Sequence, residues 1–418
     1  MALVAAACGS SSNASGSSSS STSAAVATSS ASSAASSAAA PSSMASSSAP
    51  AAASSAMPSS AASSSAGSSS GGGATTTDAK TATSAAALGG MDALVAAANK
   101  EGKLNVIALP PDWANYASVI KAFQAKYPGI KIEQQNPNAS SADEITAAKT
   151  NAGTAAAPDV FDVGTPVALA NTAQFAPYKV ATWADIPDIN KEPTGLYFND
   201  YTGTMSVGYD SSQYGDITDI KTLTDAKYKG VVALNGDPTK AGAAYNGVVA
   251  ASLANGGSLD DLSKGVEYFK GLSDAGNLYK GDATPSTIQS GEVGVLFDWS
   301  YNQPGYKAAV DKQGGSWKVF VPKGAAVGAY YNQAINKDAP NPAAARLWEE
   351  FLYSDEAQNL WLKGGANPVR QAAMVKSGTI DKEALAALPS EETPQVQTAA
   401  QIKSGSAYLA ANWSKVTG

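Results

Sequence analysis

From Met91 onward the chain moves between two hydrophobic rhythms. Met91 to Lys100 reads as a short helix, and Lys103-Leu-Asn-Val-Ile-Ala-Leu109 predicts a first strand. That strand stops at Pro110-Pro111, because proline cannot donate to a ladder. A helix to about Tyr127 follows, with Val119, Ile120 and Phe123 on its buried side, and Pro128-Gly129 ends it. Ile130 to Glu133 alternates as a second strand, and 141–152 predicts a helix capped at Ser140 or Ser141. Pro158 to Val163 is a third strand, ending at Gly164-Thr165-Pro166. This β-α-β-α-β order predicts an α/β protein with parallel strands and helices on both faces.

A later stretch carries the clearest chemistry. Gly291 to Tyr301 reads G-E-V-G-V-L-F-D-W-S-Y, a short apolar run that ends on a carboxylate between two aromatic positions. In open α/β sheets ligands bind beyond the carboxyl ends of strands. Asp298 with Trp299 and Tyr301 therefore suits a small organic cation, through a charge-assisted hydrogen bond and ~0.5–2 kcal/mol of cation–π attraction per ring. The competing reading is an exposed aspartate beside two core rings.

Composition divides the 418 residues into unequal parts. Residues 9–86 are almost all Ser, Ala, Thr and Gly, with only Asp78 and Lys80 charged, too little apolar surface to offset ordering entropy. They are expected to form a disordered tether. The globular part starts near Gly89 and carries nearly all of the net charge of −7. No basic cluster suits nucleic acid. Histidine is absent, which removes Ser-His-Asp and Cys-His sites and histidine metal ligands. The single cysteine, Cys8, excludes an intramolecular disulfide and a CxxC site. No cofactor is implied.

The first residues, M-A-L-V-A-A-A-C-G-S, resemble the end of a bacterial lipoprotein signal peptide, which makes Cys8 the candidate for lipidation and 1–8 a signal remnant. Departures are the missing basic region, the short apolar stretch, and Ala5 where Leu or Val is usual. A flexible tether of ~78 residues spans roughly 50 Å, enough to hold a domain off a membrane.

The segments E-G-K-L-N-V-I, A-K-Y-P-G-I-K-I-E and A-P-D-V-F-D-V-G, in that order, resemble the first lobe of extracellular solute-binding proteins of ABC importers. Gly203 to Asp210, Leu223 to Leu234, Gly291 to Trp299 and Ala334 to Gln358 continue the likeness, which covers about 91–375. It points to the type II periplasmic-binding-protein fold: two Rossmann-like α/β lobes around a ligand cleft, closing by a hinge. By that resemblance lobe one holds 91–200 and 316–356, and lobe two holds 205–313 and 357–418. The chain crosses near Tyr201–Tyr209 and again near Gln313–Val319. The family implies a small-molecule solute, permease subunits as partners, and a monomer held by its lipid on the outer face of the membrane or in the periplasm.

Within the family, the branch that binds polyamines, ferric iron, aminoethylphosphonate or thiamine is the nearest in pattern. Trp113-x-x-Tyr116 is similar to the aromatics that sandwich a polyamine chain, and Asp237 matches an acid of that branch, although Lys240 stands where a second acid is usual. The other expected cleft residues are Thr165, Asp298, Trp299, Tyr301 and Tyr331. Lys240, near a helix start, leaves open a zwitterion such as an aminoalkylphosphonate. Tyr330-Tyr331 invites iron, but comes late in the chain and lacks evident anionic co-ligands. A glycosidase using Glu292 and Asp298 fails on reach, because an i, i+6 pair on one strand is roughly 20 Å apart. A tethered receptor that feeds a sensor remains a further alternative. The expected role is capture without catalysis.

Overall fold

A computed structural model describes residues 78–388 and 394–418. Cys8 and most of the expected tether lie outside the described residues. Residues 78–86 do not behave as tether. Ala82 and Ala85 are buried, and the Arg346 guanidinium takes the carbonyls of Lys80 (2.9 Å) and Ala82 (2.8 Å). A buried guanidinium needs acceptors, and this stretch of backbone provides them.

The first elements follow the reading closely: α1 (Met91–Glu101), β1 (Lys103–Ile107), α2 (Tyr116–Lys126), β2 (Lys131–Gln135), α3 (Ser141–Thr150) and β3 (Val160–Gly164). Ser140 caps α3 in a reciprocal box with Asp143. β1 and β2 pair in parallel. β3 departs from the expected parallel set. Beside β1, the Asp159 carboxylate accepts the Asn105 N–H at 2.7 Å, and β3 takes its ladder partner from far along the chain.

That partner is β9 (Gly328–Asn336), antiparallel to β3. Between them run α4 (Thr165–Ala170), β4 (Phe175–Ala176), β5 (Phe198–Asp210), α5 (Ser211–Tyr214), β6 (Val232–Leu234), α6 (Gly242–Ala254), α7 (Ser263–Asp274), α8 (Pro285–Gln289), β7 (Val295–Trp299), α9 (Gln303–Lys312) and β8 (Trp317–Phe320). The 13-residue β5 is the spine. Its first half pairs with β9 through Thr204, and from Met205 onward it pairs with β7. The parallel β6–β7 ladder continues the second lobe's sheet.

β8 was expected in lobe one. It pairs with β5 at Val207–Asp210, opposite β7, so the return between lobes falls between Phe320 and Gly328 rather than at 313–319. After α10 (Pro342–Leu352) come α11 (Asp355–Lys363), β10 (Asn367–Pro368), α12 (Gln371–Ser377), α13 (Lys382–Ala387), α14 (Ala399–Asn412) and α15 (Ser414–Thr417). This tail divides instead of joining lobe two as a block. α11 packs on α2, and β10 pairs with Tyr201–Thr202 in lobe one. α15 packs on α7 in lobe two, where Trp413 lies edge-on to Phe269. α6, apolar all round, is buried from Gly242 to Ser252, as a helix between two layers must be. Among the described residues no helix is long and apolar enough to cross a membrane.

Candidate functional site

Four connections meet between the lobes: the loop after β1, the β3–α4 turn, the loop from β6 into α6, and the turn from β7 into α9. They lie where short apolar strands end and the chain must reverse. The lobes touch there. A Cβ built on Gly164 would stand 2.9 Å from the Gly242 Cα, and the Ala142 N–H donates to the Lys240 carbonyl at 3.3 Å. The two lobes are therefore in direct contact at this point.

Aromatic rings fill the middle of the contact. Trp113, from the loop after β1, stands edge-on to Tyr301 (5.8 Å) and Tyr331 (5.6 Å). Tyr331 stacks on Tyr201 at 6.3 Å and Trp299 on Tyr301 at 6.1 Å. On one side a cavity of about 520 Å³ is lined by Thr165, Gly242, Asn246, Trp299, Tyr331 and Gln397, among others. On the other a more open cavity of about 740 Å³ meets Asp112, Asn115, Tyr301 and Gly365. Lys191, the cation on the first cavity's wall, is engaged by the carbonyls of Trp183 and Ile186 and by Asp188.

Trp113, Thr165, Trp299, Tyr301 and Tyr331 thus converge. The other expected residues sit differently. Asp298 is fully buried, and its Oδ2 accepts from Tyr306 (2.8 Å) and Asn302 (3.1 Å), while Oδ1 has no partner. Burial pushes its carboxyl up to about 6, against the pull of those donors. It does not line either cavity. Asp237 accepts from the Thr239 N–H and hydroxyl and pairs with Lys240 at 3.5 Å on the surface. Neither Asp237 nor Lys240 lines either of these two cavities, so Lys240→Ala is expected to change solute affinity by less than about twofold in calorimetry, the scale of a surface ion pair. Tyr116, at the start of α2, points inward, and its hydroxyl donates to Asp162 at 2.7 Å.

Sequence reasoning missed the group that Tyr116 reaches. Asp162 Oδ2 accepts from Tyr116 and from Tyr201 (3.4 Å), and its N–H donates to Glu144 (2.9 Å). Gln333 Nε2 links the Tyr116 hydroxyl (3.1 Å) to Asp200 (2.8 Å). Glu349 lies fully buried nearby, and neither of its oxygens has a partner. No lysine or arginine pairs with any of these four acids among the described residues. Burial first, and mutual repulsion second, raise the carboxyls of Asp200, Glu144 and Glu349. Burial also raises Asp162, against its hydroxyl donors. The available signal was a carboxylate inside F-D-V, a run read as a strand, where the apolar neighbours Phe161 and Val163 point to burial.

The fold recurs in solved structures. AgtB from A. tumefaciens R10, in complex with agropinic acid, superimposes at TM-score 0.59 with 16% identity, covering 76% of this chain and 98% of that one. An ABC transporter substrate-binding protein from Bradyrhizobium japonicum USDA 110 gives 0.56 at 18% identity, with 76% and 99% covered. The ferric binding protein from Campylobacter jejuni gives 0.54 at 17%, with 75% and 99% covered. At these identities the likeness shows the two-lobed fold alone. Among curated protein sequences none matches significantly. The family model of bacterial extracellular solute-binding proteins matches residues 158–404, more than half of the chain. On that match, and with the cleft just described, the chain belongs to the family of bacterial extracellular solute-binding proteins.

Proposed function

We propose that the protein captures a small organic cation, an amine of polyamine-like character, and hands it to the permease of an ABC importer. Substrate binding for such an importer, rather than catalysis, is what the family does. The solute class is read from this chain's own site, because the fold accommodates different solutes: one relative was solved with agropinic acid and another is named for ferric ion. One observation carries the reading. Beside the aromatic wall lie the carboxyls of Asp162, which accepts from Tyr116 and Tyr201, and of Asp298, which accepts from Tyr306, and among the described residues the two cations on the cavity walls, Lys191 and Lys363, are paired with Asp188 and Asp381. Carboxyls behind π faces favour a positive guest, which in turn draws them towards their ionised forms. In this reading Cys8 carries the lipid anchor, the protein works as a monomer on the outer face of the membrane, and closure follows capture.

The test is a thermal-shift and calorimetry panel on the intact chain: putrescine, spermidine, choline, glycine betaine, 2-aminoethylphosphonate, glucose and ferric citrate. A ligand at ~100 times its Kd adds about 2.7 kcal/mol, a readily measured shift. Amines should bind, and glucose and ferric citrate should not. A panel in which only sugars or ferric citrate shift the melt would overturn the reading. A zwitterion is the second reading. The first turn of α6 opens on the cavity at Gly242 with no side-chain cap, a place for an anionic oxygen. Binding of 2-aminoethylphosphonate in preference to putrescine would favour it.

A further inference from the structure

β5 carries a bulge before it leaves lobe one. Asn199 pairs with Asn332 and Thr202 with Tyr330, so Asp200 and Tyr201 together stand opposite the single residue Tyr331. In a regular strand two successive side chains point to opposite faces. Here both reach the same neighbour, Asp162 of β3. The Tyr201 hydroxyl donates to Asp162 Oδ2 at 3.4 Å, and the Asp162 and Asp200 carboxyls are in side-chain hydrogen-bond contact. Re-aiming a side chain is what a bulge does to a strand.

Both acids are buried, and only uncharged groups bond to them. Asp162 Oδ2 accepts from the Tyr116 and Tyr201 hydroxyls, Asp200 Oδ2 accepts from Gln333 Nε2 at 2.8 Å, and Asp162 Oδ1 receives no N–H or hydroxyl. The titratable groups that face the pair from the surrounding elements are Tyr116 of α2, Glu144 of α3, Tyr301 after β7, Tyr330 and Tyr331 of β9, Glu349 of α10 and Tyr353 just beyond it. None of them brings a positive charge, and among the described residues no lysine or arginine pairs with either acid. Two ionised carboxylates have no hydrogen between them and repel, so a bond between them requires one proton.

We propose that Asp162 and Asp200 share a single proton, and that this proton fastens the bulge of β5 to β3 as a pH-sensitive latch. Such a latch works whatever the solute. It matters to the cleft because of what it holds. Tyr201, in the same bulge, accepts the Trp113 Nε1–H at 2.9 Å and stacks on Tyr331 at 6.3 Å, so the aromatic contact between the lobes is seated on the pair. β10 joins at the same place, with Pro368 opposite Tyr201 and the Val369 N–H on the Asp200 carbonyl at 2.8 Å. Burial raises both carboxyls above the range of an exposed aspartate. The folded chain therefore holds the proton more firmly than the unfolded chain does. Its stabilisation is complete at acid pH and is lost as pH rises through the raised range of the pair. When the proton passes to water, two like charges remain in one buried pocket, and Asp200 and Tyr201 lose their hold on β3.

Calorimetric melts of the intact chain from pH 6 to pH 9 test this, with Asp162→Asn, Asp200→Asn and the double variant beside wild type. An amide at 162 keeps an oxygen for the two hydroxyls and supplies an N–H in place of Oδ1, so the contact with Asp200 no longer needs a proton. Asp162→Asn should therefore narrow the fall of Tm between pH 6 and pH 9 by about 3 °C or more. Asp200→Asn should narrow it by the same amount, and the double variant should gain nothing further, because one proton belongs to the pair. Single variants that fall as steeply as wild type would overturn the shared proton. So would a double variant that gains the sum of the two, which is the mark of two acids protonated separately. If one single variant does not melt cooperatively, the other decides. Near-UV circular dichroism reads the latch independently. The wild-type aromatic signal should weaken between pH 6 and pH 9 and hold steady in Asp162→Asn, and a wild-type signal unchanged over that range would overturn the latch.

Discussion

Gly164→Val is expected to weaken solute binding about a hundredfold or more while leaving a single cooperative melt. Gly164 ends β3 with φ −58°, a backbone that any residue adopts, so the substitution carries no conformational strain of its own. Its cost comes from the facing lobe. The new Cβ would meet the Gly242 Cα at 2.9 Å and the Gly242 N at 3.4 Å, and these are backbone atoms at the start of a buried helix that cannot step aside. The lobes relieve the clash by parting. Closure then has to be driven against a penalty of ~3 kcal/mol, the equivalent of a hundredfold in Kd. Gly242→Ala should act in the same direction and more weakly, since its Cβ meets Gly164 Cα at 3.1 Å and the Tyr331 hydroxyl at 3.3 Å. Calorimetry with whichever amine binds, and small-angle scattering of the liganded protein, check this together. Lost affinity with an enlarged radius is the expected pair. Wild-type affinity at Gly164→Val would mean that the closed contact is not part of the bound state.

That contact was half legible. Gly164-Thr165-Pro166 reads as a strand end, where a cleft is expected, and Thr165 lies on the wall of the first cavity. Trp299 and Tyr331 line the same cavity and Tyr301 lines the other, while Trp113 is on neither wall and packs between Tyr301 and Tyr331. Nothing local says that Gly164 meets Gly242, because the closeness is set by how two lobes dock. Asp298 shows the opposite failure. Its neighbours pointed to a ligand, but Asn302 and Tyr306, one and two turns on, satisfy its Oδ2 from within. Asp162 looked like a strand residue among others until β9 and β5 brought Gln333, Tyr201 and Asp200 to it from as far as 171 residues away in sequence. The β8 and tail assignments differ from the structure because the lobe a segment joins is decided by long-range pairing and packing rather than by periodicity.

Acidification should stabilise the empty protein: the melting temperature at pH 5 is expected to exceed that at pH 8 by on the order of 5 °C or more. Asp159 and Asp298 are raised from the usual carboxylate range to about 6, and Asp162, Asp200, Glu144 and Glu349 are raised as well, all with burial as the leading cause. A carboxyl whose folded pKa exceeds its unfolded one binds more protons in the folded state between the two values. Stability therefore falls as pH rises through that window, from about 4 to 6 for Asp159 and Asp298 and further for the others. Each such proton is worth ~1.4 kcal/mol per pH unit. Two groups losing it between pH 5 and 6 already amount to roughly 3 kcal/mol, and for a protein of this size each kcal/mol moves Tm by about 2 °C. The net charge of −7 at neutral pH adds self-repulsion in the same direction. Carboxyls held low on the surface, such as Asp311 beside Lys307 and Asp381 at the start of α13, oppose the trend only below about pH 4, where they protonate. A bound amine should flatten the slope, because a cation near the buried acids favours their ionised forms and is itself expelled by protonation. Calorimetric scans from pH 4.5 to 8.5, with and without amine, measure both effects. A Tm that rises steadily from pH 5 to 8 in the empty protein would show that the buried acids are compensated by a cation or donor not present among the described side chains, and with it the electrostatic basis for an organic cation in this cleft would go.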